Sequence, residues 1–449
     1  PSMSTPTNPA ISGMSGYTLR KTDVSPIAER AKAMGKRVID ARLGDPTAFR
    51  LKPFRGYTGL VEEALEDGRC WGYADSRGLE ELRAVLGTGN PERGTNGYVV
   101  PPERVFVGAG VSGVARAFFQ AIIDPSAHDE VAIPKWSYII YFAEAALSRA
   151  NVRNVPLAQS GEVDTMALSD SITPRTRAVF ITTVGNPLGI ATSEETFRQI
   201  IDIVNRKEME FGRPVCLVAD TIYEGFRTGS EPIDPIKMSV EAGRAGPTIE
   251  FYSISKLIGA PGARLGWMRF HHDGGEFKSE CERMVEALTT VFQPALGLTP
   301  NAFQIALMRL YRSFGDSTRD RFDNFASERR NAVISRTRGL LGLLSGLDGI
   351  TFPRYYKEDG VVDPGRVHSP YILFGLDERI RPRAGVSQSA ELAGFLMDSD
   401  LPVLLTTPAD SFLAEGLRGQ GQEYMRAVSL MTDPYLAQVA LSRFVESKR

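Results

Sequence analysis

The run Phe251-Tyr252-Ser253-Ile254-Ser255-Lys256-Leu257-Ile258-Gly259-Ala260-Pro261-Gly262-Ala263-Arg264-Leu265-Gly266-Trp267 places one lysine between an apolar strand and a glycine-rich turn. An amine at the bottom of a shielded site, its pKa lowered by desolvation or a neighbouring cation, attacks an aldehyde and forms a Schiff base. The other polar groups of the run suit a phosphate. Ser253 and Ser255 offer short hydroxyl donors, and Arg264 offers a rigid, always-charged fork.

The spacing Ser-x-Ser-Lys, a few residues, then Arg-x-Gly resembles the lysine signature of the class I/II aminotransferases, the fold-type-I enzymes of pyridoxal 5'-phosphate (PLP). That resemblance implies an acid at a strand end with a tyrosine three residues on, and an Asn-Pro-x-Gly turn upstream of both. Pro214 to Asp220 is an apolar run too short for a helix and ending in an acid, with Tyr223 following; Val184-Gly185-Asn186-Pro187-Leu188-Gly189 precedes it. Asp220 then lies at the carboxyl end of a strand, where open α/β sheets hold ligands. The resemblance implies that Asp220 keeps the cofactor's pyridine nitrogen protonated and that Asn186 and Tyr223 hydrogen-bond its phenolic oxygen. Leu188 departs from the family's usual threonine.

Gly108-Ala109-Gly110-Val111-Ser112-Gly113 fits a dinucleotide-binding pattern, and the flanking residues test it. A ribose-binding acid belongs at the end of the next strand. Asp129 and Glu130 come instead at the start of Val131-Ala132-Ile133, so the dinucleotide reading fails. What survives is a glycine-rich turn presenting backbone N–H groups to a phosphate at a helix N-terminus. By resemblance, Gly110, Val111 and Ser112 form the phosphate cup, Trp136 stacks on the cofactor's face, and Tyr73 reaches the phosphate of a neighbouring subunit's site. The last implies a homodimer with shared active sites. Arg426, in Tyr424-Met425-Arg426-Ala427-Val428-Ser429, matches the arginine that takes the substrate α-carboxylate, a pairing a lysine could not reproduce. Gly44, in Arg42-Leu43-Gly44-Asp45-Pro46, matches a substrate-side Gly-x-Pro.

These groups need a scaffold that brings strand ends together. Strands expected at Arg104–Val107, Glu130–Ile133, Ala178–Val184, Val215–Asp220, Ile249–Tyr252 and Leu265–Phe270 alternate with helical segments, which implies an α/β fold with a mainly parallel sheet. A capping box Thr192-x-x-Glu195 starts one helix, with Phe197, Ile200, Ile201 and Val204 at helical spacing. Residues 1 to about 25 read as an extended arm and Ser25 to Lys36 as a helix. The family resemblance implies a large PLP-binding domain over 56–305 with a sheet of the seven-stranded type. It also implies a small, discontinuous α/β domain made of 1–55 and 306–449.

Composition agrees with a large enzyme and excludes other classes. With 449 residues and 42% hydrophobic content the chain buries a core large enough for more than one domain. Its 52 basic and 54 acidic residues leave a formal charge of −2, so nucleic acid is not an expected partner. No run approaches the length of a membrane span. Three cysteines, Cys70, Cys216 and Cys281, lack close spacing and point to a reducing, cytoplasmic compartment without a structural metal. His271 and His272 read as solvent-facing. The expected activity is transfer of an amino group from an α-amino acid to a 2-oxo acid through a Lys256 Schiff base. Related folds use the same lysine for decarboxylation, elimination, cyclisation or oxidation. A regulator with an aminotransferase-like sensor would carry a DNA-binding module, for which the residues before the first helix are too few. Thr289 to Thr299, where some relatives place a second arginine for a distal carboxylate, contains no cation; Arg42 and Lys135 are the alternatives.

Overall fold

The computed structural model describes residues 25–42, 44–47, 51–96, 98–293, 299–315, 317–377, 380, 388–397, 400, 402–408, 424–429 and 434–448. The extended arm and part of the Thr289 to Thr299 stretch therefore lie outside the described residues.

Seven strands form the central sheet: β1 (Val105–Ala109), β2 (Glu130–Pro134), β3 (Asn151–Val155), β4 (Thr176–Thr182), β5 (Cys216–Asp220), β6 (Thr248–Ser253) and β7 (Leu265–His271). Their spatial order is β1-β7-β6-β5-β4-β2-β3. Only β7 runs against its neighbours, pairing antiparallel with β1 and β6, while β2, β3, β4, β5 and β6 pair in parallel. Both faces are covered, which is why these strands read as continuous apolar runs rather than alternating ones. Along β5, Cys216 and Val218 pack into one core, shared with Phe118, Phe180 and Phe251. Leu217 and Ala219 pack into the other, against Phe197, Ile200, Ile201 and Val204 of the helix Glu194–Phe211.

The expected strand boundaries fall within two residues of these. Strand β3 was not anticipated. It is an edge strand whose Asn151 and Arg153 are exposed, so it lacks the apolar run that marks the buried strands. The capping box also shifts by one residue: Ser193 is the N-cap, its Oγ accepting from the Thr196 N–H at 3.1 Å. Asp129 and Glu130 stand at the amino end of β2, where Asp129 pairs with Arg177 and Glu130 with Arg153 and Arg175. His271 and His272 are buried rather than solvent-facing, because β7 ends beneath Tyr98, whose ring meets His271 edge-on at 4.9 Å. Burial pushes His271 down to about 4.

The helix Ser317–Ser345 runs from the large sheet to a four-stranded antiparallel sheet built from Ile350–Thr351, Tyr371–Leu376, Tyr424–Val428 and Thr407–Pro408. The N-terminal strand Val38–Asp40 pairs in parallel with Val403–Leu405. Among the described residues no helix is long and apolar enough to cross a membrane.

Candidate active site

The carboxyl ends of β1, β4, β5 and β6 and the start of β7 lie along one edge of the sheet. In-register pairs make this explicit: Thr182 opposite Asp220, Asp220 opposite Phe251, Ser253 opposite Gly266, and Leu265 opposite Ala109. Residues scattered over some 160 positions of sequence thus converge because each ends or begins a strand there.

Lys256 follows β6 directly, half-buried, and its Nζ donates to the Gly44 carbonyl at 2.7 Å. The same Nζ stands 5.7 Å from the centroid of the Tyr223 ring. Arg329, reaching across from the helix Ser317–Ser345, donates to the Lys256 carbonyl at 3.2 Å and to that of Lys52. It ties the lysine loop to the N-terminal segment. Asp220 is buried at the tip of β5, with Oδ1 accepting from the Ile222 N–H at 3.1 Å and Oδ2 accepting from the Tyr141 hydroxyl. Burial pushes its carboxyl up to about 6, against the opposing pull of Tyr141, Ile222 and the Lys256 charge.

Gly110 opens the helix Gly110–Ile122 with φ +71°, a conformation that costs glycine little. A Cβ at Gly110 would come within 2.8 Å of Arg264 Nη2, and one at Gly266 within 2.6 Å of the Gly110 backbone. The glycines therefore let two strands and a helix N-terminus close around a small cradle. Arg264, in the left-handed region at φ +51°, spans it by donating to the carbonyls of Ala109 at 3.0 Å and Pro261 at 2.9 Å. Ser112 stands on the first turn of the helix, and Ser255 on the loop opposite. The Ser253 hydroxyl is already engaged with the Leu265 carbonyl at 2.9 Å and with Ser255 Oγ at 2.7 Å. Backbone N–H groups at a helix N-terminus, a guanidinium and hydroxyls brought this close together fit a phosphate.

On the other wall Arg426 is buried, donating to Asn186 Oδ1 at 3.1 Å and to the Arg42 carbonyl. Its guanidinium carbon lies 4.8 Å from the Tyr371 ring centroid. Tyr371 and Tyr223 bond hydroxyl to hydroxyl. The chain of contacts from Lys256 through Tyr223, Tyr371 and Arg426 to Asn186 is unbroken and joins five separate segments.

A sequence profile of the family described as Aminotransferase class I and II matches residues 56–361. The chain belongs to that family. Among relatives of this aminotransferase-family chain, a tyrosine aminotransferase of Dictyostelium discoideum is 25% identical over 276 residues, covering 60% of each protein. The glutamate-pyruvate aminotransferase AlaA of Escherichia coli K12 is 26% identical over 250 residues, covering 54% of this chain and 56% of AlaA. The alignments thus span about three fifths of the length of these curated relatives. Solved structures extend the likeness of fold to nearly the whole chain. An alanine aminotransferase from Pyrococcus furiosus superposes with a TM-score of 0.77 at 21% identity, covering 97% of this chain and 99% of that one. Aspartate aminotransferase from Thermus thermophilus with maleate gives 0.73 at 20% identity, covering 97% and 98%. The family's PLP dependence matches the lysine, acid and phosphate cradle just described.

Trp136, Tyr73 and Lys135 lie outside this chain of contacts. Trp136 has φ +58° and is buried edge-on between Tyr355 and Tyr424, at 5.8 and 5.9 Å between ring centroids. Tyr138, two residues later, points to the cradle, its hydroxyl 3.4 Å from Ser112 Oγ and its surroundings set by Tyr371, Asp220 and Arg426. Tyr73 is 99% exposed and Trp71 77%. Arg42 is paired with Asp40 at 2.7 Å, and Lys135 lies 4.8 Å over the Trp136 ring. Tyr138, Tyr141, Arg329 and Tyr371 escaped sequence reasoning. Tyr138 and Tyr141 straddle the start of an apolar helix, and Tyr371 opens an apolar strand, so all three resemble core residues.

Proposed function

We propose that this protein is a PLP-dependent aminotransferase that moves the amino group of an α-amino acid to a 2-oxo acid, with Lys256 as the Schiff-base amine. The contact chain from Lys256 to Asn186 carries this reading, because it links an amine, a pair of phenols and a carboxylate-binding fork, with the Asp220 carboxyl buried at the neighbouring strand end. When bound there, PLP supplies an electron sink for the charge left on the substrate α-carbon. Asp220 would pair with the pyridine nitrogen and keep it protonated. Gly110, Val111, Ser112, Ser255 and Arg264 hold the phosphate, with Ser253 bracing Ser255. Asn186 and Tyr223 donate toward the phenolic oxygen. Tyr138, rather than Trp136, supplies the aromatic face, a choice supported by its contact with Ser112. Arg426 would grip the α-carboxylate, and the Lys256 amine would take the proton from the α-carbon and hold it for return. Gly44 gives the lysine a backbone acceptor while it waits.

The reading extends to a cytoplasmic homodimer with shared sites. Exposed Tyr73 and Trp71 support the shared interface, and three unpaired cysteines support the compartment. The chain as a large PLP-binding domain over 56–305 with a small domain from 1–55 and 306–449 belongs to the same proposal, supported by the pairing of Val38–Asp40 with Val403–Leu405. With Arg42 and Lys135 both engaged, dicarboxylate donors are expected to be poor. The test is a screen of amino donors with the PLP-loaded protein and no acceptor, following the cofactor's absorbance. A stoichiometric shift to the pyridoxamine spectrum with release of a 2-oxo acid supports transamination. Loss of carbon dioxide or ammonia instead would replace it with another reaction class. Lys256→Ala should stay folded, bind PLP without the covalent absorbance band, and turn over negligibly.

A further inference from the structure

Tyr371 is 2% exposed, yet it carries a hydroxyl where phenylalanine would fill nearly the same volume. Burying a hydroxyl costs free energy unless it is hydrogen-bonded, and here it meets the hydroxyl of Tyr223. The ring of Tyr371 underlies the Arg426 guanidinium at 4.8 Å. Room for the phenol comes from Gly44: a Cβ at that position would lie 2.1 Å from Tyr371 Oη. One side chain thus touches both the tyrosine expected at the cofactor's phenolic oxygen and the arginine expected at the substrate's carboxylate.

We propose that Tyr371 is a positioning residue for the amino-acid site, its hydroxyl directing the Tyr223 O–H and its ring seating the Arg426 guanidinium. The inference rests on the aminotransferase reading above. Two phenols in contact share one proton and leave one to give. With Tyr371 donating to Tyr223 Oη, the Tyr223 proton is aimed at a third acceptor, and the donor it presents is strengthened by the bond it accepts. The ring acts separately. A guanidinium held flat on an aromatic face keeps its edge, where the paired N–H groups lie, directed at a carboxylate. The charged and titratable groups facing this pair are Arg426 from the adjoining strand, Tyr138 from the helix start, and Lys256, whose Nζ lies over the Tyr223 ring.

Two substitutions separate the two roles. Tyr371→Phe keeps the ring and removes the hydroxyl; Tyr371→Leu removes both. The PLP-loaded protein is titrated by absorbance without substrate, and then with 2-methylalanine, which has an α-carboxylate and an amine but no α-proton to lose. Tyr371→Phe should shift the pH midpoint of the cofactor band upward by about half a unit to one unit, because a weaker Tyr223 donor stabilises the phenolate less. Its affinity for 2-methylalanine, measured well above both midpoints, should stay near that of the wild type. Tyr371→Leu should show the same upward shift and also bind 2-methylalanine about three- to tenfold more weakly. An unmoved midpoint in Tyr371→Phe overturns the hydroxyl's role, and unchanged affinity in a folded Tyr371→Leu overturns the ring's role. If the wild type itself shows no lysine-linked absorbance or no response to 2-methylalanine, the aminotransferase reading fails instead.

Discussion

Arginine and lysine carry the same charge, but the contacts of Arg426 use more than charge. Its guanidinium meets Asn186, the Arg42 carbonyl and the Tyr371 ring at once, which uses the planarity of the group as much as its charge. Arg426→Lys should therefore lower kcat/KM for the best amino donor by about 2–4 kcal/mol, of the size seen when a buried charge-assisted pair is broken, while the cofactor absorbance of the resting protein is retained. Normal turnover in this variant, or equal reactivity with amines lacking an α-carboxylate, would move the substrate class away from α-amino acids. At this scale the sequence was most legible where chemistry restricts residue type and spacing. Lys256 with its flanking serines and arginine, Asp220 with Tyr223, and Asn186 were all visible. Tyr371 and Tyr141 were not, since a tyrosine in an apolar run reads as core, and only the fold reveals what its hydroxyl touches. Trp136 came from a motif that also holds Tyr138, and only the fold separates them, setting the Trp136 ring between Tyr355 and Tyr424 and the Tyr138 hydroxyl beside Ser112.

Strands explain the site's geometry better than any single residue does. Long apolar runs announced six of the seven, because a parallel sheet covered on both faces leaves no polar alternation to confuse the pattern. The edge strand β3 stayed hidden for the converse reason. The start of the helix after the Asn186 turn was legible to within one residue, and that residue can be tested. The helix Glu194–Phe211 is capped by Ser193 Oγ, not by Thr192, and its first turn follows directly on the Asn186 turn. Ser193→Ala should cost about 1 kcal/mol. That corresponds to a fall of about 1–2 °C in Tm for a chain this long. Glu195→Ala, which would break the capping box as read from sequence, should leave Tm unchanged. Calorimetry on the two variants decides between the caps.

Across the whole molecule, charge is buried beneath the site as well as in it. Glu250 on β6 is gripped by Arg93 and by Arg269 at 2.8 Å, and accepts from the hydroxyl of Thr221, the neighbour of Asp220, at 2.8 Å. Burial pushes Glu250 up, but the two guanidiniums hold it below the usual carboxylate range. Glu92 lacks such a grip. It accepts from Tyr252 at 2.8 Å and Tyr311 at 2.6 Å, and burial pushes its carboxyl up to about 7 despite these donors. Its folded pKa lies above its unfolded one, so its contribution to stability is fully present below about pH 4.5 and is lost as pH rises through about 7, a change on the order of 3 kcal/mol. Glu92→Gln should flatten the fall in unfolding free energy between pH 5 and pH 8. Denaturant titrations at several pH values check this, and parallel curves for the two proteins would reject it. No sequence pattern pointed to this network, since its members lie on five separate segments.

The parallel pairing of Val38–Asp40 with Val403–Leu405 also has a meaning in time. A ribosome adds about 5–20 residues per second, so the first strand of this pair waits tens of seconds for its partner to be synthesised. During that interval the seven strands from Val105 to His271 are already available to pair with one another, while the N-terminal strand is an unpaired edge. The Gly44 carbonyl that receives Lys256 follows that strand by four residues. Assembly of the lysine's surroundings is thus deferred until Val403–Leu405 has been synthesised, and a nascent chain holding a finished sheet still lacks a finished site.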